Sequence, residues 1–141
     1  MARLALGLDS STQSLTAVVI DLDSREIVYQ KSLDYLTEKG LSKFGINSDY
    51  ILPPQEKGEA KQPAAMFFSS LDAVFGNLAA DLPGLGLEVK DIRVINTSGQ
   101  QHGHVLLSRQ AERHFANLHE PPADKDLVAL LEPALAVPFA R

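Results

Sequence analysis

Two polar clusters in this sequence hold the side chains that could do chemistry. In the first, an apolar run at residues 4–8 leads to Asp9 and a group of small hydroxyl residues, and a second apolar run starts at Leu15. A carboxylate fixed at the end of a strand can hold Mg²⁺ directly or through water. Hydroxyls and backbone N–H groups in a tight turn can face a phosphate. This cluster therefore predicts a turn that binds a phosphate and a metal ion.

A simpler interpretation of the same residues stays open. Asp and Ser are common in turns of every kind, where the side chain accepts hydrogen bonds from nearby backbone. Under this hypothesis Asp9 caps its own turn and binds no ligand. The turn also contains no glycine, so its geometry must come from Ser10 and Ser11.

The second cluster, residues 98–104, contains amides, a hydroxyl and two imidazoles but no acidic side chain. Amides and imidazoles offer both donors and acceptors to sugar hydroxyls, so a polyhydroxylated ligand is favoured over acid–base catalysis. Two alternatives stay open. His102 and His104 share one face of a strand and could bind zinc, although carboxylates lie far away in the sequence. The segment could instead be a polar loop with one histidine bonded to backbone.

The elements that must position these clusters follow from hydrophobic periodicity. Apolar runs at residues 4–8 and 15–21 and an alternating run at 26–35 predict an antiparallel meander with Asp9 at its first bend. The first two runs are almost continuously apolar, which is typical of strands covered on both faces. A helix at 62–82 then connects to a strand at 91–97, which predicts parallel pairing. The second cluster follows that strand, where α/β sheets bind ligands.

Other segments carry further expectations. Residues 37–61 are polar and punctuated by Gly and Pro, which predicts a functional loop that packs partly onto the domain. In the helix at 62–82, Pro63 suits the first helical position, and apolar residues including Phe67 and Phe75 recur at helical spacing. These aromatic side chains are expected in the core and not at a ligand. A short helix is expected at 124–131.

Composition narrows the class of protein. The 141 residues are 45% hydrophobic and 22% charged, as in one globular domain. The formal charge of −5 and the scattered basic residues argue against a nucleic-acid partner and against a ribonuclease H-type nuclease, which needs a basic surface and more carboxylates. There is no cysteine, so disulfides and thiolate metal sites are excluded. No segment resembles a signal peptide or a membrane span, so a cytoplasmic protein without a membrane partner is expected.

Taken together, the two clusters resemble the motifs of one family. Residues 6–14, LGLDSSTQS, resemble the first phosphate motif of the FGGY carbohydrate kinases, within the actin, hexokinase and Hsp70 superfamily. Residues 98–103, SGQQHG, resemble the sugar-contacting segment of xylulokinases, and the order and separation of the motifs match over residues 4–109. The resemblance implies an incomplete α/β domain of the ribonuclease H-like, actin-like ATPase type, with an antiparallel β-meander followed by a helix and a parallel strand.

The resemblance also implies residue roles. The complete enzyme would be an ATP-dependent kinase that phosphorylates a hydroxyl of a ketopentose such as D-xylulose. Asp9 would be the catalytic metal ligand and coordinate Mg²⁺. The remaining roles are phosphate contacts from Thr12, Gln13 and Ser14 and sugar contacts from Gln101 and His102.

Finally, the resemblance implies what the chain lacks. Residues 1–141 would form the N-terminal part of the first domain, on the sugar and phosphate side of a cleft. The C-terminal domain with its adenosine pocket and the aspartate that acts as base have no counterpart, so the chain alone is expected to be inactive. A homodimer of the complete enzyme stays open. The alternative is a truncated, non-catalytic domain that binds a sugar or a partner protein.

Overall fold

A four-stranded mixed sheet organises the computed structural model, which describes residues 2–101, 103–119, 122 and 124–136. Strands β1 (Leu4–Ser10), β2 (Ser14–Asp21) and β3 (Ile27–Asp34) form an antiparallel meander. Strand β4 (Ile92–Gly99) lies parallel to β1, which gives the order β3-β2-β1-β4. The predicted fold, a meander followed by a helix and a parallel strand, is confirmed.

Among the described residues, three α-helices accompany the sheet: α1 (Ala64–Asp81), α2 (Ala111–Ala116) and α3 (Leu127–Leu131). Pro63 is the N-cap of α1 and not its first helical residue; its φ of −68° and ψ of 120° are extended. Helix α2 was not predicted, because six residues are too few for a helical period to stand out. The segment at 37–61 is irregular apart from a 3₁₀ turn at Ser42–Phe44. No helix in the described ranges is long and apolar enough to cross a bilayer.

The core lies between α1 and one face of the sheet. Alternate residues of β1 and β2 point to this face, as expected for a pleated strand. The main buried side chains are Leu4, Leu6, Leu8, Leu15, Ala17 and Val19 from the strands and Ala65, Met66, Val74 and Leu78 from α1. Tyr35, which is 0% exposed, and Leu41 and Phe44 from the long segment complete the core. The expected partial packing of that segment is therefore observed.

The aromatic residues of α1 depart from their expected core positions. Phe75 is 38% exposed, and Phe67 is only partly buried. The Phe67 ring meets Tyr35 edge to face, with 5.6 Å between ring centroids, and its remaining surface lines a cavity described below. The core expectation was wrong for Phe75 and only partly right for Phe67, because smaller side chains allow α1 to lie closer to the sheet.

No described helix packs against the second face of the sheet, which is termed the open face. Along β1, buried leucines alternate with partly exposed Ala5 and Gly7 and with exposed Asp9. All of β4 is at least partly exposed. The expectation of strands covered on both faces is therefore wrong for the part of the chain that the structure describes. An uncovered face and an unpaired edge strand are typical of an incomplete layered domain.

Candidate functional site

The turn between β1 and β2, residues 11–13 and termed the first turn, is closed by a serine hydroxyl. Ser11 Oγ donates to the Ser14 carbonyl at 3.1 Å and accepts from the N–H groups of Ser14 at 3.3 Å and Gln13 at 3.4 Å. The Ser11 N–H also donates to the Ser14 carbonyl at 2.9 Å. Among the non-glycine residues that are described, only Arg25 and Tyr50 have positive φ, so Ser11 adopts this turn without a left-handed backbone.

The Asp9 carboxylate lies on the open face at the end of β1. The β1–β4 register places Asp9 beside Ser98, whose hydroxyl donates to Asp9 Oδ1 at 2.5 Å. On the other side, Asp9 is paired with Thr16 of β2. The described hydrogen bonds of the carboxylate include none to the backbone of the first turn, so the capping hypothesis gains no support. Among the described residues none donates to the second carboxylate oxygen, which can therefore accept a ligand.

A shallow cavity of about 240 Å³, termed the sheet cavity, borders this carboxylate. Thr16 and Ser98 contribute hydroxyls to its lining, and Asn96 contributes an amide. Within the described ranges, no three His, Cys, Asp or Glu side chains converge on a metal position. One carboxylate among neutral oxygens suits a hard cation such as Mg²⁺ that takes its other ligands from water and phosphate.

A larger cavity of about 630 Å³, termed the polar cavity, lies on the helix-covered side near the ends of β1 and β4. Its polar lining includes Ser10, Thr12, Lys61, Gln62, Gln100, Gln101 and His104, and its apolar lining includes Ile51, Ala64, Phe67 and Val105. A lining rich in amides and hydroxyls beside apolar side chains fits a polyhydroxylated ligand. Gln101 lies in this cavity, as its predicted sugar contact requires. His102 lies outside the described residues, so its role stays a prediction.

The structure joins the two clusters but divides the candidate residues between two faces. Gln100 Nε2 donates to Thr12 Oγ1 at 2.9 Å, which links the second cluster to the first turn. Thr12 and Gln101 line the polar cavity, whereas Asp9 lines the sheet cavity. The exposed Gln13 accepts a hydrogen bond at its carbonyl from the N–H of Tyr35 at 2.9 Å. The Ser14 hydroxyl forms a hydrogen bond with the Ser11 hydroxyl across the first turn.

One residue of the site was missed by sequence reasoning. Gln62 precedes the N-cap of α1, and its amide Nε2 donates to the carbonyls of Thr12 and Tyr50, each at 2.7 Å. A glutamine before a proline has no distinctive pattern. The available signal was the length of the 37–61 segment, which predicted a functional loop without naming its anchor.

Tyr50 is anchored at a second point. Its hydroxyl donates to Asp34 Oδ2 at 2.7 Å. This bond is the largest influence holding the pKa of Asp34 below its usual value, and hydrogen bonds from the N–H groups of Leu36 and Thr37 act in the same direction. The loop beside the polar cavity is thus tied to the end of β3 by a charge-assisted hydrogen bond.

Comparisons with known proteins agree on one enzyme class. No family model matches the chain. It is 33% identical over 138 residues to "Probable D-xylulose kinase A" of Arthroderma otae and 31% identical over 137 residues to "D-xylulose kinase A" of Aspergillus niger. Both alignments include 97% of this chain and 22% of the relative. The chain therefore spans about a fifth of the length of these curated relatives.

Solved structures show the same fold. A xyloylose kinase from Brucella ovis matches with a TM-score of 0.57 and 22% identity, over 82% of this chain and 23% of that protein. A gluconate kinase from Lactobacillus acidophilus matches with a TM-score of 0.55 and 18% identity, over 78% of this chain and 18% of that protein. The resemblance inferred from the two polar clusters is confirmed: over 97% of its length the chain is homologous to a segment of the D-xylulose kinases, and its structural neighbours are sugar kinases.

Proposed function

We propose that this chain is the N-terminal part of the first domain of a carbohydrate kinase, which transfers the γ-phosphate of ATP to a hydroxyl of a ketopentose such as D-xylulose. The observation that carries the proposal is the meeting of the two clusters. The side chain of Ser98 is hydrogen-bonded to Asp9, and that of Gln100 is hydrogen-bonded to Thr12. These pairs are separated by 89 and 88 positions in the sequence. The names of the relatives support the choice of sugar.

In the proposed reaction, a sugar hydroxyl oxygen forms a bond to the γ-phosphorus, and the bond from that phosphorus to the β,γ-bridging oxygen breaks. The hydroxyl proton passes to a base outside this chain, and ADP leaves. Such transfers depend on positioning and on neutralising the charge of the phosphate oxygens. Asp9 would hold the magnesium ion. When bound, the ion supplies that neutralisation.

The other candidate residues would bind and orient the two substrates. Thr12, Gln13 and Ser14 belong to or border the first turn, where hydroxyls and backbone groups can face the phosphates. Gln101 and His102 would contact the sugar. Because Thr12 accepts a hydrogen bond from Gln100, the phosphate and sugar residues would be held at a fixed spacing.

The open face and the exposed edge at β4 support the view that further polypeptide completes the domain. The part described here would provide one wall of a cleft, and the other wall would come from the rest of the enzyme. Phosphoryl transfer needs both walls, since closure around the substrates assembles the reacting groups.

The test is sugar-dependent ADP formation by the complete polypeptide that contains this chain, measured with Mg²⁺, ATP and either D-xylulose or D-gluconate. We expect ADP formation with D-xylulose and a much lower rate with D-gluconate. Sugar binding without ADP formation would contradict the proposal and favour the non-catalytic binding domain. ADP formation at the same rate without any sugar would contradict it as well.

A further inference from the structure

Gln62 connects two segments that are distant in sequence. It is partly buried and lies 50 positions from Thr12 and 12 positions from Tyr50. A glutamine amide nitrogen has two hydrogens, and here one is directed to the carbonyl of Thr12 and the other to the carbonyl of Tyr50. Both bonds are 2.7 Å long, so the amide holds the first turn and the loop at a short and defined spacing.

Both of these residues have a second anchor. The Thr12 hydroxyl accepts from Gln100, and the Tyr50 hydroxyl donates to Asp34. Tyr50 also has a φ of 63°, in the left-handed region that an aromatic residue rarely adopts. A backbone of this kind persists only where the surroundings fix it. Gln62 therefore joins two segments that are each already held in place.

We propose that Gln62 is a positioning residue for phosphoryl transfer, which fixes the first turn relative to the loop that borders the polar cavity. Thr12 and Ile51 line that cavity from the two sides, and Ile51 follows Tyr50 directly. Without the amide, each side keeps only its own second anchor, so the spacing between the two sides is no longer fixed and the phosphate and sugar lose their mutual alignment. The kinetic consequence rests on the proposed function, whereas the structural coupling does not.

The sharpest variant is Gln62→Glu, because the carboxylate matches the amide in size but cannot donate to either carbonyl. Gln62→Ala removes the side chain entirely. The matched control is Gln55→Glu, which makes the same change of charge on an exposed glutamine of the same loop. Both variants should lose the link between the two carbonyls, and Gln62→Glu should be affected at least as strongly as Gln62→Ala, because a carboxylate also repels the carbonyl oxygens.

Two readouts on the complete polypeptide test the inference. Hydrogen exchange followed by mass spectrometry should show faster exchange in both variants at residues 11–16 and 47–52, with α1 unchanged. Loss of two ordinary hydrogen bonds corresponds to about a thirtyfold change in the local opening equilibrium that permits exchange. In steady-state kinetics, kcat should fall about tenfold or more, while KM for the sugar changes less than about threefold. Gln55→Glu should match the unmodified protein in both.

The other possible results would contradict the positioning role, the coupling between the two segments or the proposed function. Faster exchange with unchanged kcat would overturn the positioning role, since Gln62 would then serve the fold alone. Unchanged exchange in the two segments, or faster exchange throughout α1 as well, would overturn the coupling itself. If the unmodified polypeptide forms no ADP with D-xylulose or D-gluconate, the proposed function fails. The coupling between the two segments is then decided by exchange alone.

Discussion

Replacing Asp9 by asparagine tests whether this carboxylate serves a ligand or the fold. The side chain is exposed at the end of β1, and Ser98 Oγ donates to it at 2.5 Å. Asparagine retains an acceptor oxygen for that hydroxyl and removes the negative charge. The substitution therefore separates the electrostatic role of Asp9 from its packing.

The exposed position of Asp9 and its single described hydrogen bond set the expected changes in unfolding free energy and in kcat. A hydrogen bond between exposed groups contributes about 1 kcal/mol or less, and asparagine preserves part of it. The free energy of unfolding should therefore fall by less than about 1 kcal/mol, which corresponds to a few degrees in Tm. Loss of the carboxylate that would hold Mg²⁺ should lower kcat about 10²-fold or more, or about 2.7 kcal/mol of transition-state stabilisation.

The assay combines thermal unfolding with ADP release by the complete polypeptide. Asp49→Asn is the matched control, since Asp49 is an exposed aspartate of the long loop and should alter neither quantity. A variant Asp9→Asn that keeps more than half of the turnover would refute the metal-ligand assignment. A loss of more than about 2 kcal/mol in unfolding free energy would instead assign Asp9 to the fold.

Three further predictions follow from the same contacts. Ser11→Ala should lower the free energy of unfolding by about 1 to 2 kcal/mol in urea titration, because the hydroxyl closes the first turn; an unchanged midpoint would show that it does not. Gln101→Ala should raise the Kd for D-xylulose about tenfold by calorimetry, and Gln55→Ala should leave it unchanged; equal effects would remove Gln101 from the sugar site. The pKa of Asp34 is depressed in the folded state, so its bond with Tyr50 stabilises the fold above the ordinary value of 3.8 and is lost as pH falls through the folded value. Tyr50→Phe should therefore be less stable than the unmodified protein at pH 7 and equal to it in stronger acid, as followed by circular dichroism; a constant difference would contradict this assignment.

The sheet could be predicted from the sequence because its determinants are local or follow general rules. The apolar runs of β1 and β2 are separated by a short polar turn, which leaves antiparallel pairing as the natural solution. The helix between β3 and β4 then requires a crossover, and crossovers produce parallel pairing. These rules also place residues 98–104 near Asp9, as the structure shows for Ser98.

The arrangement of the site could be predicted only in part. Successive residues of a strand point to opposite faces, so Asp9 and Ser10 enter different cavities although they are adjacent. Which face α1 would cover depends on tertiary packing and not on the period of either strand. The contacts of Gln62 depend on how residues 37–61 fold back, and no local pattern encodes that path.

The most direct test of the central claim is the identity of the product. ³¹P nuclear magnetic resonance should follow the complete polypeptide with Mg²⁺, ATP and D-xylulose, and mass spectrometry should identify the phosphorylated species. The account predicts a xylulose phosphate formed in equal amount with ADP. ADP accompanied only by inorganic phosphate, or no consumption of ATP, would contradict it.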